Sequence, residues 1–495
     1  MTIGDSTSRN QHNPNQAQST NSTSMRTLLS KHSGCASGFQ HLESGYEYWT
    51  YTKNGLLIGG TAYVKCGGRV IIPGLPIVHK GQLADFLHAL QREFEGNRIM
   101  MVGVESEWIS VLEKTELPFR HCIVGRQPEW HQHVNFDGAK FKNIRRQLRR
   151  ARNKGVQISH IDLSKGPPPS TLQGDMKHLL ESWKTTRTLD TIGFMVTPEI
   201  DLTRGYGHLI CAQRNGVLVG LLSCLPTPGH QGWFLEDLIR EPDAPNGTIE
   251  LLISEAFIRL PHPPLPFMTL GMVPLLDIDT FAQDNPILDW VLHQCRVIGQ
   301  RLINLKGLAV FKARFRPDTW NTMHLVTLGT PPNIGDLLAL GRVLANGSIM
   351  TFFYRSFLRR LRKTKATTWR YLLLSQLSVL IPWTVLLSLA DGDYWFGSTS
   401  IQWAWVTFDV MLAGGLSALI MRLRTRPVNP YAWILGGATM ADTVLSIVQA
   451  LSLHHEAIGI NLILVYMGVL GPILATLTLF TLAWVNPSPV TPIKT

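Results

Sequence analysis

The chain has 495 residues, of which 45% are hydrophobic and 16% charged, and it carries a formal net charge of +11. That length exceeds one ordinary domain, and the balance excludes both a disordered polymer and a wholly coiled-coil protein. Residues 371–495 hold 4 Lys/Arg against 5 Asp/Glu while residues 1–370 hold 42 against 30, so a basic portion precedes an almost uncharged one and calls for a polyanion, a membrane surface, or both.

In chain order, the first 24 residues are rich in Ser, Thr, Asn and Gln and lack the apolar core of a secretory signal; residues 1–35 read as a disordered tail. Tyr46–Thr52, Leu56–Val64 and Arg69–Ile72 predict a meander turning at Lys53-Asn54-Gly55 and Gly67-Gly68, and Gln82–Glu95 has helical periodicity. His208–Gln213, the Arg214-Asn215-Gly216 turn and Val217–Cys224 predict a hairpin, followed by a helix over Thr248–Arg259. This recurrence of strands then helix predicts two tandem α/β lobes, over residues 36–170 and 171–335. Cys35, Cys66, Cys122, Cys211, Cys224 and Cys295 are scattered without a CxxC pair, so neither a disulfide framework nor a zinc site is indicated, and no metal is assigned. A reducing compartment is the simpler reading.

Three polar segments stand out. Lys140, Lys142, Arg145, Arg146, Arg149, Arg150, Arg152 and Lys154 place eight cations in fifteen residues. On a helix, Arg145, Arg149 and Arg152 share one face and Arg146 and Arg150 an adjacent one, while Ile144, Leu148 and Ala151 form a narrow apolar stripe. Such a ridge suits the phosphates of a nucleic acid or of an anionic membrane; the plainer alternative is a solvated face. The second segment, Trp233–Arg240, predicts a strand ending in Asp237 and Arg240, with a Pro/Asn/Gly turn leading to Glu250 on the next helix. There Asp237 could orient or deprotonate an attacking group, Arg240 could hold a carboxyl or phosphate and Glu250 could bind an amine, or Asp237 and Arg240 form a structural pair. In the third, Phe311–Pro317, alternation predicts an extended edge with Phe311, Ala313 and Phe315 on one side and Lys312, Arg314 and Arg316 on the other. Those cations hold substrate phosphates or guard an exposed edge.

Residues 336–370 read as a basic juxtamembrane linker. Apolar stretches over Tyr371–Ala390, Ile401–Leu423, Tyr431–Leu453 and Ile458–Trp484 are each long enough to cross a ~30 Å hydrocarbon layer, which predicts four transmembrane helices over 371–485 and a short tail over 486–495. Arg355, Arg359, Arg360, Arg362, Lys363, Lys365 and Arg370 precede the first stretch, and Arg422, Arg424 and Arg426 separate the second from the third. The bias of basic residues toward the cytoplasm then places the soluble lobes and both termini inside, and the loops holding Asp391 and Asp393, and His454, His455 and Glu456, outside. Asp409 and Asp442 lie within spans, where they line a functional path or make helix-to-helix hydrogen bonds.

Four segments in register, Arg149–Val156, Asp237–Arg240 with Asn246-Gly247 and Glu250, Leu270–Leu275, and Phe311–Pro317, resemble the catalytic domain of phosphatidylglycerol lysyltransferases, also called aminoacyl-phosphatidylglycerol synthases, over roughly residues 40–330. The resemblance implies tandem GNAT-like acyltransferase lobes, here followed by an all-α transmembrane bundle. It implies an integral inner-membrane aminoacyltransferase that takes aminoacyl-tRNA as co-substrate, needs no cofactor, and modifies the hydroxyl of phosphatidylglycerol or a related lipid at the cytoplasmic face. Asp237, Arg240, Glu250 and Lys312 are the implied catalytic residues; Arg145, Arg146, Arg149, Arg150, Arg152, Lys154 and Arg314 are candidates for the tRNA or phosphate. An aminoacyl ester is already activated, so positioning and oxyanion stabilisation suffice. In familiar members the membrane helices precede the catalytic domain, whereas here they follow it, so a flippase role is not carried over. Two alternatives remain: an acyl-CoA-dependent transferase acting on a membrane lipid, disfavoured by the lack of a CoA-type glycine loop, and an inactive membrane-tethered protein that binds tRNA or lipid.

Overall fold

The computed structural model describes residues 24–29, 32, 35–187, 189–196, 198, 200, 202, 204–261, 267–276, 281, 285–362, 366–423, 429–453 and 459–485. The expected N-terminal tail up to residue 23, Lys363, Lys365, Arg424, Arg426, His454, His455, Glu456 and the C-terminal tail from residue 486 lie outside the described residues. The chain divides between Tyr354 and Arg355 into two compact units.

The first unit is built on one mixed sheet of thirteen strands. These are β1 (Glu47–Lys53), β2 (Leu56–Cys66), β3 (Arg69–Pro73), β4 (Ile77–Val78), β5 (Arg98–Glu105), β6 (Phe119–Trp130), β7 (Val156–Asp162), β8 (His208–Arg214), β9 (Val217–Thr227), β10 (Gly232–Arg240), β11 (Phe267–Thr269), β12 (Val273–Pro274) and β13 (Thr319–Leu328). The expected turns form as written. Asn54-Gly55, Gly67-Gly68 and Asn215-Gly216 all have positive φ at both positions, the geometry that joins two right-twisted antiparallel strands in a two-residue loop.

The strand order β1-β2-β3-β5-β13-β6-β11-β10-β9-β8-β7 has two strand-helix halves, but no break in the sheet separates them. Strand β13, near the end of the unit, inserts between β5 and β6, while β7, which precedes the expected boundary at residue 170, pairs with β8 in the second half. Each half has its own core. In the first, Phe86, Leu87 and Leu90 of the helix Leu83–Glu93 pack with Ile72, Met101 and Val104. In the second, Ile144, Leu148 and Ala151 of the helix Lys142–Asn153 and Leu251, Leu252, Ala256 and Phe257 of the helix Thr248–Arg259 cover Ile210 and Leu222. Each of these side chains other than the alanines contributes about 1.5–3 kcal/mol on burial.

One expected element is of the wrong type. Phe311–Ala313 closes a helix, Leu305–Ala313, rather than forming an extended edge. Asn304 caps that helix by accepting from Gly307 N, and Phe311 and Phe315, four residues apart, bring their rings to 5.5 Å and pack with the second core. Spacing of i and i+4 suits a helical turn as well as alternation suits a strand, and the cap decides between them.

The second unit holds the apolar helices Ala366–Leu389, Thr399–Arg422, Asn429–Leu453 and Ile460–Val485, all long and apolar enough to cross a membrane. Each begins and ends within a few residues of the stretch read from hydropathy. A short helix, Gly392–Phe396, lies between the first two, with Asp391 accepting from the amides of Asp393 and Tyr394.

Candidate active site

Strand β10 carries two of the expected catalytic residues, Asp237 at an irregularity and Arg240 at its end. Leu235 pairs with Cys224 of β9 and Leu238 with Leu222, so Glu236 and Asp237 together face one residue, Ser223. Such a bulge bends the strand and re-aims the side chains beside it. Gln40 Nε2 donates to Glu236 Oε1 at 3.2 Å and to Met195 O at 3.0 Å, tying the segment before β1 to the bulge. Arg204, 6% exposed, donates from Nη2 to Ser223 Oγ at 3.2 Å and from Nε to Tyr206 O at 3.1 Å, fixing the opposite strand. A cavity of about 490 Å³ opens here, lined by Glu43, Tyr46, Glu47, Arg204, Tyr206 and Glu236 among others.

Arg240 closes β10 and donates from Nη1 to Ala244 O at 3.3 Å, bracing the turn into the next helix. Its charge also reaches Arg187, which stacks over Trp183 at 4.0 Å; desolvation and then Arg240 hold the Arg187 guanidinium below its ordinary value. Gly247 ends the turn with φ of 96°, and a Cβ there would collide with the backbone oxygen of Gln147. The absence of a side chain therefore lets the helices Lys142–Asn153 and Thr248–Arg259 approach. Glu250 sits half-buried in the first turn of the latter, where the helix dipole favours a carboxylate.

The basic helix is divided in its duties. Arg152 Nη2 pairs with Glu255 Oε1 at 2.7 Å, and Arg259 Nε with Glu255 Oε2 at 2.6 Å. Arg145 Nη1 donates to Phe136 O at 3.0 Å and to Gly138 O, holding the preceding turn. Arg146, Arg149, Arg150 and Lys154 are exposed and pair with no acid among the described residues. The packing stripe of Ile144, Leu148 and Ala151 turns these four outward.

Lys312 is 7% exposed, and its ammonium does not reach a carboxylate. Nζ donates to Leu270 O and Gly271 O, both at 2.7 Å, and to Met272 O at 3.3 Å. Burial lowers its pKa to about 7. The side chain thus clamps the loop between β11 and β12, in which Gly271 has φ of 72° and lies so near the Phe234 ring that a Cβ would overlap it. Phe234 is three residues before Asp237 on β10. Arg314 lies just past the same helix and is exposed. The structure therefore links Lys312, through its loop, to β10; Asp237 and Arg240 share that strand, and Glu250 belongs to the packed helix pair with the basic ridge.

A buried polar network was not foreseen. Glu105, fully buried at the end of β5, accepts from Ala36 N at 2.7 Å and pairs through Oε2 with His230 Nε2 at 2.9 Å. Gln127 Nε2 donates to Glu129 Oε1 at 3.1 Å, and Asn321 Nδ2 donates to the same oxygen at 3.0 Å. Burial opposes a charge on His230, but the hydrogen bond and charge of Glu105, with Glu107 and Glu129, prevail and raise its pKa. Ligand atoms of Glu105, Glu107 and His230 lie within 4.8 Å of one another, close enough for a metal, though no metal was expected. No local pattern announces this group, because Glu105 and His230 are 125 residues apart. Burial pushes the thiols of Cys122 and Cys211 up to about 12, which leaves them poor nucleophiles at neutral pH.

A family model described as phosphatidylglycerol lysyltransferase, C-terminal, matches residues 25–326. The chain belongs to this family. The lysyltransferase-family region thus covers the sheet through most of β13, and the four apolar helices lie beyond it. Among curated relatives, an uncharacterized protein of Corynebacterium glutamicum is 27% identical over 311 residues, 59% of this chain and 37% of that protein. The lysylphosphatidylglycerol biosynthesis bifunctional protein LysX of Rhodococcus opacus is 29% identical over 122 residues, 24% of this chain and 11% of LysX. The chain therefore spans little more than a third of the length of the first of these relatives and about a tenth of the second. Two solved structures share the fold. The C-terminal domain, of the type designated DUF2156, of an Agrobacterium fabrum protein matches with a TM-score of 0.55 at 14% identity, covering 67% of this chain and 98% of the domain. L-PGS from Bacillus licheniformis matches with a TM-score of 0.54 at 16% identity, covering 66% of this chain and 96% of that one. A mixed α/β sheet followed by four apolar helices accords with the expectation from sequence.

Proposed function

We propose that the chain transfers an aminoacyl group from aminoacyl-tRNA to the hydroxyl of phosphatidylglycerol or a related membrane lipid. Family membership supports aminoacyl transfer to a lipid. The observation that supports carrying the reading to particular residues is the bulge of β10, in which Asp237 follows Glu236, a residue that lines the 490 Å³ cavity.

In this reading the cavity holds the aminoacyl end of the donor. Asp237 orients the acceptor hydroxyl and takes its proton as the hydroxyl oxygen attacks the ester carbonyl; collapse of the tetrahedral intermediate releases the tRNA 3′ oxygen, which leaves with a proton. Arg240 steadies a phosphate, and Glu250 receives an amine. Lys312 acts by holding the Leu270–Met272 backbone against β10. The exposed Arg146, Arg149, Arg150 and Lys154, with Arg314, engage phosphates of the tRNA, while Arg145 and Arg152 keep the ridge in shape. The four apolar helices anchor the enzyme in the inner membrane with the transferase region and both termini cytoplasmic, as the basic residues beside the spans favour.

The test is lipid extraction from cells expressing the chain or its Asp237→Asn variant, followed by thin-layer chromatography and mass spectrometry. A ninhydrin-positive lipid made by the first and absent from the second, with equal membrane content of both proteins, supports the reading and names the amino acid and the acceptor by mass. The same lipid at the same level from the variant overturns the role of Asp237; no new lipid from either, in a host rich in phosphatidylglycerol, overturns the acceptor.

A further inference from the structure

The helical unit beyond the family match carries a half-open cavity of about 630 Å³. It is lined from Leu372 to Ala390 along the first apolar helix, a rise of about 27 Å, so it runs most of the depth of a hydrocarbon layer. Leucines together with Trp383, Trp395 and Trp405 contribute much of its apolar wall. Asp409 and Asp442, each near the middle of its helix and only 5% and 8% exposed, line the same space.

Thr384 Oγ1 lies 3.3 Å from Asp409 Oδ2, but its single proton already serves Leu380 O at 2.8 Å. Asp442 Oδ1 accepts from Ser446 Oγ at 3.0 Å. The second oxygen of each carboxylate has no donor among the described residues. Gln376 spends its amide protons on Thr478 Oγ1 at 2.8 Å and Leu474 O at 3.5 Å, which leaves Oε1 buried and without a donor. Other polar groups of the wall donate within the helices: Ser375 to Leu372 O, Thr439 to Gly436 O and Thr478 to Leu474 O, while Gln449 gives one amide proton to Trp395 O. Two buried carboxyl groups and the Gln376 carbonyl oxygen, each with an acceptor that no described donor reaches, therefore lie along an apolar groove. What satisfies them is a cationic hydrogen-bond donor attached to an apolar chain, because water-filled space alone would not call for so long a hydrophobic wall.

We propose that this cavity is a binding site for amphiphiles bearing a primary ammonium group, with Asp409, Asp442 and Gln376 receiving the ammonium and the groove receiving the chain. The site lies outside residues 25–326 and does not depend on the transferase reading.

The experiment uses the full chain in phosphatidylcholine nanodiscs and a photoactivatable hexadecylamine, with the matching hexadecanol as the neutral control. Mass spectrometry of the irradiated protein is expected to find amine adducts on cavity residues of the helices Ala366–Leu389 and Ile460–Val485, at least tenfold above the alcohol. The Asp409→Asn, Asp442→Asn double variant should lose this labelling at least tenfold. Gly471→Leu keeps both carboxylates and adds its side chain where nothing lies within 4 Å of the Cβ, so it fills the groove without a clash and should also lose labelling. Competition by lysyl-phosphatidylglycerol identifies a lipid headgroup as the natural source, and competition by unlabelled hexadecylamine alone identifies a free alkylamine; either supports the site. Equal labelling by amine and alcohol, or labelling that survives both variants, overturns it. Loss of lipid aminoacylation has no bearing on this outcome.

Discussion

Replacing Lys312 by Met sets two effects of one buried group against each other. Lowering a lysine from 10.5 to about 7 corresponds to about 5 kcal/mol that the folded chain forgoes by burying the charged form. Against this stand the hydrogen bonds to Leu270, Gly271 and Met272, whose loss leaves three carbonyls to find water at about 1–3 kcal/mol each if they cannot. The terms nearly cancel at pH 7, so Lys312→Met should keep its stability within about 2 kcal/mol while, under the proposed function, lipid aminoacylation falls, the loop beside β10 having lost its clamp. The pH dependence separates the terms. Between pH 7 and 10.5 the unfolded chain holds a proton on Lys312 that the folded chain has released, so wild-type stability rises with pH at about 1.4 kcal/mol per pH unit. Lys312→Met lacks this slope. From pH 7, where the folded group is about half deprotonated, to pH 9 the wild type should gain about 2.3 kcal/mol on the variant, or about 2–3 °C in the unfolding midpoint of the full chain in detergent micelles. Parallel curves over that interval would refute the reasoning, since they would mean that the carbonyls keep the ammonium charged throughout.

Gly247→Ala should cost about 2–5 kcal/mol, from a strained left-handed backbone and the collision with Gln147 O, read as a fall in unfolding midpoint. Under the proposed donor, replacing Arg146, Arg149 and Arg150 by Gln should lower the slope of log affinity for aminoacyl-tRNA against log salt by about 2–3 with stability unchanged; filter binding across a salt series measures it. Arg152→Gln should instead reduce stability by about 1–3 kcal/mol, because it takes one of two guanidinium partners from Glu255. For His230→Gln the sign follows from a raised pKa: the stability lent by the His230–Glu105 pair is fully present below about 6.5 and is lost as pH rises through the folded value. The variant should therefore fall furthest behind the wild type in acid and converge on it in alkali; a gap that widens toward alkali counts against the pair.

What local patterns specify was legible. The Asn-Gly turns, the stripe of Ile144, Leu148 and Ala151, and four apolar stretches of span length each appear where backbone chirality, helical period or hydrocarbon thickness demands them. Within the candidate site, the order Asp237, Arg240, Gly247, Glu250 was readable because one strand, one turn and one helix carry it. The segment at Phe311 misled because two periods fit three residues and the Asn304 cap lay outside the motif. Long-range pairing left no local trace: nothing near Lys312 says that its acceptors are carbonyls some forty positions earlier, nor near Glu105 that His230 will lie against it.

The position of β13 bears on how the polypeptide is made. Its neighbours β5 and β6 are synthesised some two hundred residues before it, yet they pair across it rather than with each other. Until Leu328 has left the ribosome, the middle of the sheet is a slot with two unpaired edges. The first apolar helix begins at Ala366, so the last strand and the first membrane segment emerge almost together. Completion of the sheet and delivery to the bilayer are therefore adjacent events in synthesis. A nascent chain halted before residue 319 would present two open strand edges to its surroundings, a state that invites chaperones or aggregation.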